Sequence, residues 1–129
     1  MLTRIILTGQ LLGLAGQTTL SLAHILGVSD SNNRRDHICS AVLFHGGRMV
    51  QVIEGARADV DRLLRRMQKD TRFKAFTVLS DTPIRNRTLT EAAGYCHEPA
   101  ETLARVGLKG LDLLSVRDVD AMLEYRQAA

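Results

Sequence analysis

Apolar positions along this chain follow two rhythms, one of period two and one of 3.6, and their order lays out a fold. Residues 2 to 8 are rich in Ile, Leu and Thr and predict a first strand, after which glycines and glutamines break the run over 10 to 18 and predict a loop. From Thr19 to about Asp30, Leu22, Ile25 and Leu26 fall at helical spacing, and the polar stretch Asp30-Ser31-Asn32-Asn33 predicts the end of that first helix. Ile38 to Phe44 and Arg48 to Ile53 read as two strands. His45-Gly46-Gly47 joins them as a tight turn, because glycine supplies the positive φ that hairpin turns require. Over Ala58 to Lys69, Val60, Leu63, Leu64 and Met67 share one face, the pattern of a half-buried helix. Phe76 to Ser80 predicts a fourth strand, and a less sharply marked fifth lies between Ile84 and His97, closed by Tyr95.

The resulting order, β-α-β-β-α-β-β, is that of a ferredoxin-like α+β sheet with two helices on one face. Both strands of the central hairpin are apolar at nearly every position, so both sheet faces must be covered. The tail from Pro99 onward carries Leu103, Val106, Leu111, Val119 and Met122, and Ser115 with Asp118 three positions on forms a variant capping box. Short C-terminal helices are therefore expected on the opposite face, with residues 1–97 forming the domain and 98–129 an extension packed on it.

Composition narrows the function classes. The 129 residues, 45% hydrophobic and 24% charged, suit one globular domain with a real core. A net charge of +3 is spread along the chain, and aromatics at 4% leave few stacking platforms, so nucleic-acid binding is not expected. Cys39 and Cys96 lie far apart without repeated spacing, which predicts free thiols in a reducing cytoplasm. Thr8, Gly9 and Gln10 interrupt the N-terminal apolar run, and no stretch reaches the ~18 residues of a membrane span. His37 and Cys39 would share a strand face by period two, but without ligand-knuckle spacing no metal site is expected. An acylphosphatase would need an arginine cradle after strand one, and residues 9 to 19 hold no arginine, so no enzyme is expected. The cluster Arg62, Arg65, Arg66, Lys69, Arg72 and Lys74 reads as a solvated face, with docking of an acidic partner as its alternative role.

Several of these residues together resemble a known family. Asn32-Asn33 before an apolar strand, Gly47-Arg48-Met49-Val50-Gln51-Val52-Ile53-Glu54-Gly55, the following helix, Asp70-Thr71-Arg72-Phe73, and Pro83-Ile84 with Arg87 resemble the BLUF domain, the blue-light sensor that uses FAD. The likeness spans about residues 2 to 97. It implies that Asn33 bonds the flavin ring, that Gln51 is the switching amide, that Ile25 and Met67 line the slot between helices, and that Arg66 meets the flavin side chain or its phosphates.

Four departures cut against the family's chemistry. Where the family has a tyrosine on strand one that gives an electron and then a proton to the excited flavin, this chain has Leu7, with no redox-active ring and no exchangeable proton. The family's Gly-Ile-Thr-Gly becomes His37-Ile38-Cys39-Ser40, which adds bulk that can intrude on ligand space. The late Trp-Ser-Met becomes Ala92-Ala93-Gly94, and the histidine after the Asp-x-Arg turn is Phe73. The two tyrosines, Tyr95 and Tyr125, lie outside strand one and replace the missing phenol only if the fold carries one to the flavin edge. The expectation is a BLUF-like signalling or protein-interaction module without the normal light response, the balance leaning against a stoichiometric flavin. Its output would pass to an unidentified protein partner or a second copy. The alternative is an FAD-binding blue-light photoreceptor of altered chemistry.

Overall fold

The structure is a computed structural model that describes residues 1–11, 29–70, 73–112 and 114–128. Strands β1 (Leu2–Leu11), β2 (Cys39–His45), β3 (Arg48–Ala56), β4 (Phe73–Ile84) and β5 (Gly94–Tyr95) form one sheet in the order β4-β1-β3-β2-β5. β1 runs antiparallel to β3 and β4, β2 antiparallel to β3, and β5 parallel to β2. This is the ferredoxin-like α+β arrangement expected from the order of elements. Gly46 and Gly47 turn the β2–β3 hairpin with φ of 60° and 75°, which fits the paired positive values of a type I′ turn.

The alternation of side chains divides the core in two. Ile5, Leu7, Val42, Phe44, Met49 and Ile53 point to one face and pack with Val60 and Leu63 of helix α2 (Arg57–Lys69). Gly55 lets α2 approach closely, since a Cβ there would lie 3.1 Å from Ile38 and 3.3 Å from Val60. Ile6, Ala41, Leu43, Val50 and Val52 point to the other face and meet Leu103 of α3 (Pro99–Arg105) and Val119 and Met122 of α4 (Val116–Ala128). Each Val, Leu, Ile or Met among them, fully buried, contributes about 1.5–3 kcal/mol, so the tail is part of the core and not an appendage. Ser115 opens α4 through a reciprocal cap: its Oγ accepts from the Asp118 backbone N–H at 3.1 Å, and its own N–H donates to Asp118 Oδ2 at 3.0 Å.

Four expectations need correction. Residues 29–35 are helical (α1), so the polar Asp30-Ser31-Asn32-Asn33 run lies inside a helix and does not end one. An Asp30–Arg34 ion pair at 2.8 Å supports its exposed side, and Asn33 is buried and hydrogen-bonded. His37 lies outside β2 in a left-handed turn with φ of 55°, so it does not share a strand face with Cys39. β4 is longer than Phe76 to Ser80, and its pairing to β1 slips between Ile6 and Leu7 and again between Thr8 and Gln10, beside Ala75 at φ 55°. Of the loop expected over 10 to 18, Gln10 and Leu11 belong to β1, and the rest lies outside the described residues.

Candidate functional site

On the α2 face the layers leave a cavity of about 230 Å³ between α1, α2 and the sheet. Period two places Met49 and Gln51 of β3 and Val42 and Phe44 of β2 along its floor, while the helical period aims Leu63, Arg66 and Met67 of α2 down onto it. Asn33 of α1 closes one side. Asn33, Gln51, Arg66 and Met67 thus line one space, and Ile25 lies outside the described residues.

Leu7 stands directly opposite Gln51 in the β1–β3 ladder and is 1% exposed. The neighbour that this amide finds on β1 is therefore hydrocarbon. Ser40, Phe73 and Ala93 also line the cavity, so three of the departures noted in the sequence lie at the site itself.

The polar groups of the cavity are unevenly satisfied. Asn33 is fully buried, and its Nδ2 donates to the Ala92 carbonyl at 2.7 Å and to Ser40 Oγ at 3.3 Å. Ser40 Oγ in turn donates to the same carbonyl at 2.8 Å. Asn33 Oδ1 is left without a partner, and so is the buried Nη2 of Arg66, whose Nη1 donates to Asp36 Oδ2 at 3.4 Å. The Arg35 guanidinium bonded to Asp36, with Arg66 and Arg62 adding attraction, holds that carboxyl below the usual aspartate range. An orphaned buried acceptor costs about 1–3 kcal/mol, and here an unpaired acceptor and an unpaired guanidinium N–H border the same opening. A ligand that donates to the first and accepts from the second removes both penalties.

Sequence reasoning passed over two residues. Ser40 was read only as added bulk, yet it bonds the side chain of Asn33; a hydroxyl seven residues after a buried amide gives no local signal of that contact. Glu54 was read only as part of a motif. It is fully buried on the opposite sheet face, where it accepts from the N–H groups of Thr88 and Leu89 at 2.9 Å each and from Thr88 Oγ1 at 2.8 Å. Arg87 adds bonds to the backbone carbonyls of Glu54 and His37. The segment leading into β5 is thus tied to both faces of the sheet, at Glu54 and at the Asn33–Ser40–Ala92 cluster.

A family described as sensors of blue-light using FAD, BLUF, has a sequence profile that matches residues 5–93. The chain belongs to the BLUF family. Solved BLUF structures share its fold: the dark state of BlrB superposes with a TM-score of 0.85 at 23% identity, over 98% of this chain and 96% of that one. The ground state of BlsA gives 0.83 at 20% identity, over 100% of this chain and 89% of that one. A bacterial light-regulated adenylyl cyclase gives 0.70 at 20% identity, over 99% of this chain but only 34% of that one. The BLUF domain here therefore spans about a third of the length of that cyclase. No curated protein matches the sequence. Among the described residues no helix is long and apolar enough to cross a membrane.

Proposed function

We propose that this BLUF domain is a signalling module that holds a flavin ring in the cavity between α1, α2 and the sheet but does not run a photocycle through β1. The unpaired Asn33 Oδ1 and Arg66 Nη2 carry this reading, because the two atoms ask for a ligand that has both a donor and an acceptor. They shift the balance, which the sequence alone leaned the other way, toward retention of flavin. A cavity of about 230 Å³ sits below the ~300–1,000 Å³ of whole-ligand sites, which suits a ring system with its ribityl and nucleotide parts outside. Asn33 and Gln51 would bond the polar edge of the ring, Met67 would pack on it, and Arg66 would meet an anionic tail. A bound flavin supplies light absorption and one-electron chemistry. Leu7 supplies only contact, having no proton or electron to give. Catalysis is no part of this reading, and the output is contact with a protein partner or a second copy.

A second reading, a photoreceptor of altered chemistry, has one observation in its favour. Tyr95 packs against Phe44 with ring centroids 6.2 Å apart, and Phe44 lines the cavity, so a phenol stands one ring away. One experiment decides among the outcomes. The full chain, purified from a flavin-replete host, should carry yellow flavin absorption near one equivalent and show no reversible red shift under blue light. Colourless protein that takes up no added FAD would overturn the flavin reading, and a reversible shift would favour the Tyr95 alternative.

A further inference from the structure

The chain has two tyrosines, and the fold brings both to one place. A groove of about 520 Å³ lies beside the edge strand β5 and is open along one side. Tyr95 of β5 and Tyr125 of α4 line it half-buried, while His97, Glu91 and Glu98 line it with their side chains exposed. An aromatic interior is thus bordered by acids. Among the described residues the groove shares only Ala93 with the cavity between α1, α2 and the sheet, so the two are separate spaces. Tyr95 is braced by Phe44, with ring centroids 6.2 Å apart, and by His97, edge to face at 4.9 Å. Tyr125 rides on the helix that Val119 and Met122 anchor in the core. Rings held in this way lose little freedom when something packs on them.

The charge around the groove has one sign. A hydrogen bond to Glu101 and the like charge of that group hold the Glu98 carboxyl above the usual glutamate range, against the pull of His97. Arg105 reaches Glu101 at 3.7 Å, but no Lys or Arg is among the described residues that line the groove. Residues 91–129 hold seven of the 14 acids and only four of the 17 bases, so this side of a basic protein is acidic. We infer that the groove is a docking site for an arginine side chain of a partner protein, with the guanidinium plane against the tyrosine rings and its N–H groups directed to Glu98. Aromatic faces attract a cation, and a carboxylate at the rim accepts from a planar fork of N–H groups. A quaternary ammonium has no N–H to give the carboxylate, and a lysine ammonium is more strongly hydrated and has no plane to stack. The open side suits a side chain reaching in from another surface. This site goes beyond the flavin reading and does not rest on it.

The two tyrosines are also the reporters. In the full chain, NMR signals of the Tyr95 and Tyr125 ring protons should shift together and saturably on titration with Nα-acetyl-arginine-amide. Nα-acetyl-citrulline-amide, which has nearly the same shape without the charge, should leave them in place. Nα-acetyl-lysine-amide and tetramethylammonium should each bind roughly threefold more weakly than the arginine probe, or worse. Tyr125→Leu removes a ring and Glu98→Gln removes a charge, and each should weaken the arginine probe by roughly threefold. Tyr125→Phe, which keeps the ring, should bind as the parent does. Glu98 is exposed, so its variant tests the site even if Tyr125→Leu fails to fold. No saturable shift, a shift confined to one ring, or unchanged affinity in Glu98→Gln overturns the site. Equal binding of the citrulline probe overturns the cation, and equal binding of the lysine probe or tetramethylammonium overturns the assignment to arginine.

Discussion

Leu7 faces Gln51 across the β1–β3 ladder, and a hydrocarbon there gives the amide nothing to exchange with. Leu7→Tyr returns a phenol to that place. A reversible red shift under blue light is expected only in flavin-loaded Leu7→Tyr protein; a shift in a flavin-free preparation would contradict it. On the opposite face, Glu54→Ala removes the acceptor for three donors from Thr88 and Leu89 and should cost about 3 kcal/mol in urea unfolding. Asp36 should show an NMR titration midpoint below the ordinary aspartate value of about 3.9. Because its folded value is depressed, its pairing with Arg35 and Arg66 stabilises above that pH and is lost as the pH falls through the folded value. Among single residues, Asn33, Gln51, Arg66 and Met67 were singled out by the resemblance alone and not by any local pattern, and the fold lines one cavity with them. Ser40 and Glu54 could not, since their partners Ala92 and Thr88 lie 52 and 34 positions away.

Elements were readable where one periodicity dominated. α2 keeps Val60 and Leu63 buried as its pattern requires, and Ser115 and Asp118 make the cap that their spacing announced. Ser115→Ala should lower stability by about 1 kcal/mol, seen as a small fall in Tm. Gly55→Ala should cost about 1–3 kcal/mol by pressing on Ile38 and Val60, seen in chemical denaturation. α1 was misjudged because asparagines favour caps and turns on average, whereas Asn33 is held in the helix by tertiary bonds that no local pattern contains. The length of β4 was hidden for a related reason: as an edge strand it is largely exposed and lacks a continuous apolar rhythm.

At the scale of the whole molecule, the sheet is covered on both sides, and the continuous apolar character of the hairpin was enough to foresee that. A chain ended after His97 would bare Ile6, Ala41, Leu43, Val50 and Val52 together. Such a truncation should aggregate or lose its cooperative thermal transition, and a soluble, cooperatively folding 1–97 fragment would refute this account of the tail. The slipped pairing of β4 and the left-handed backbone at Ala75 have a consequence of their own. A foreign strand laid along that border would find its hydrogen-bonding groups out of step, which makes the rim a poor template for fibril growth.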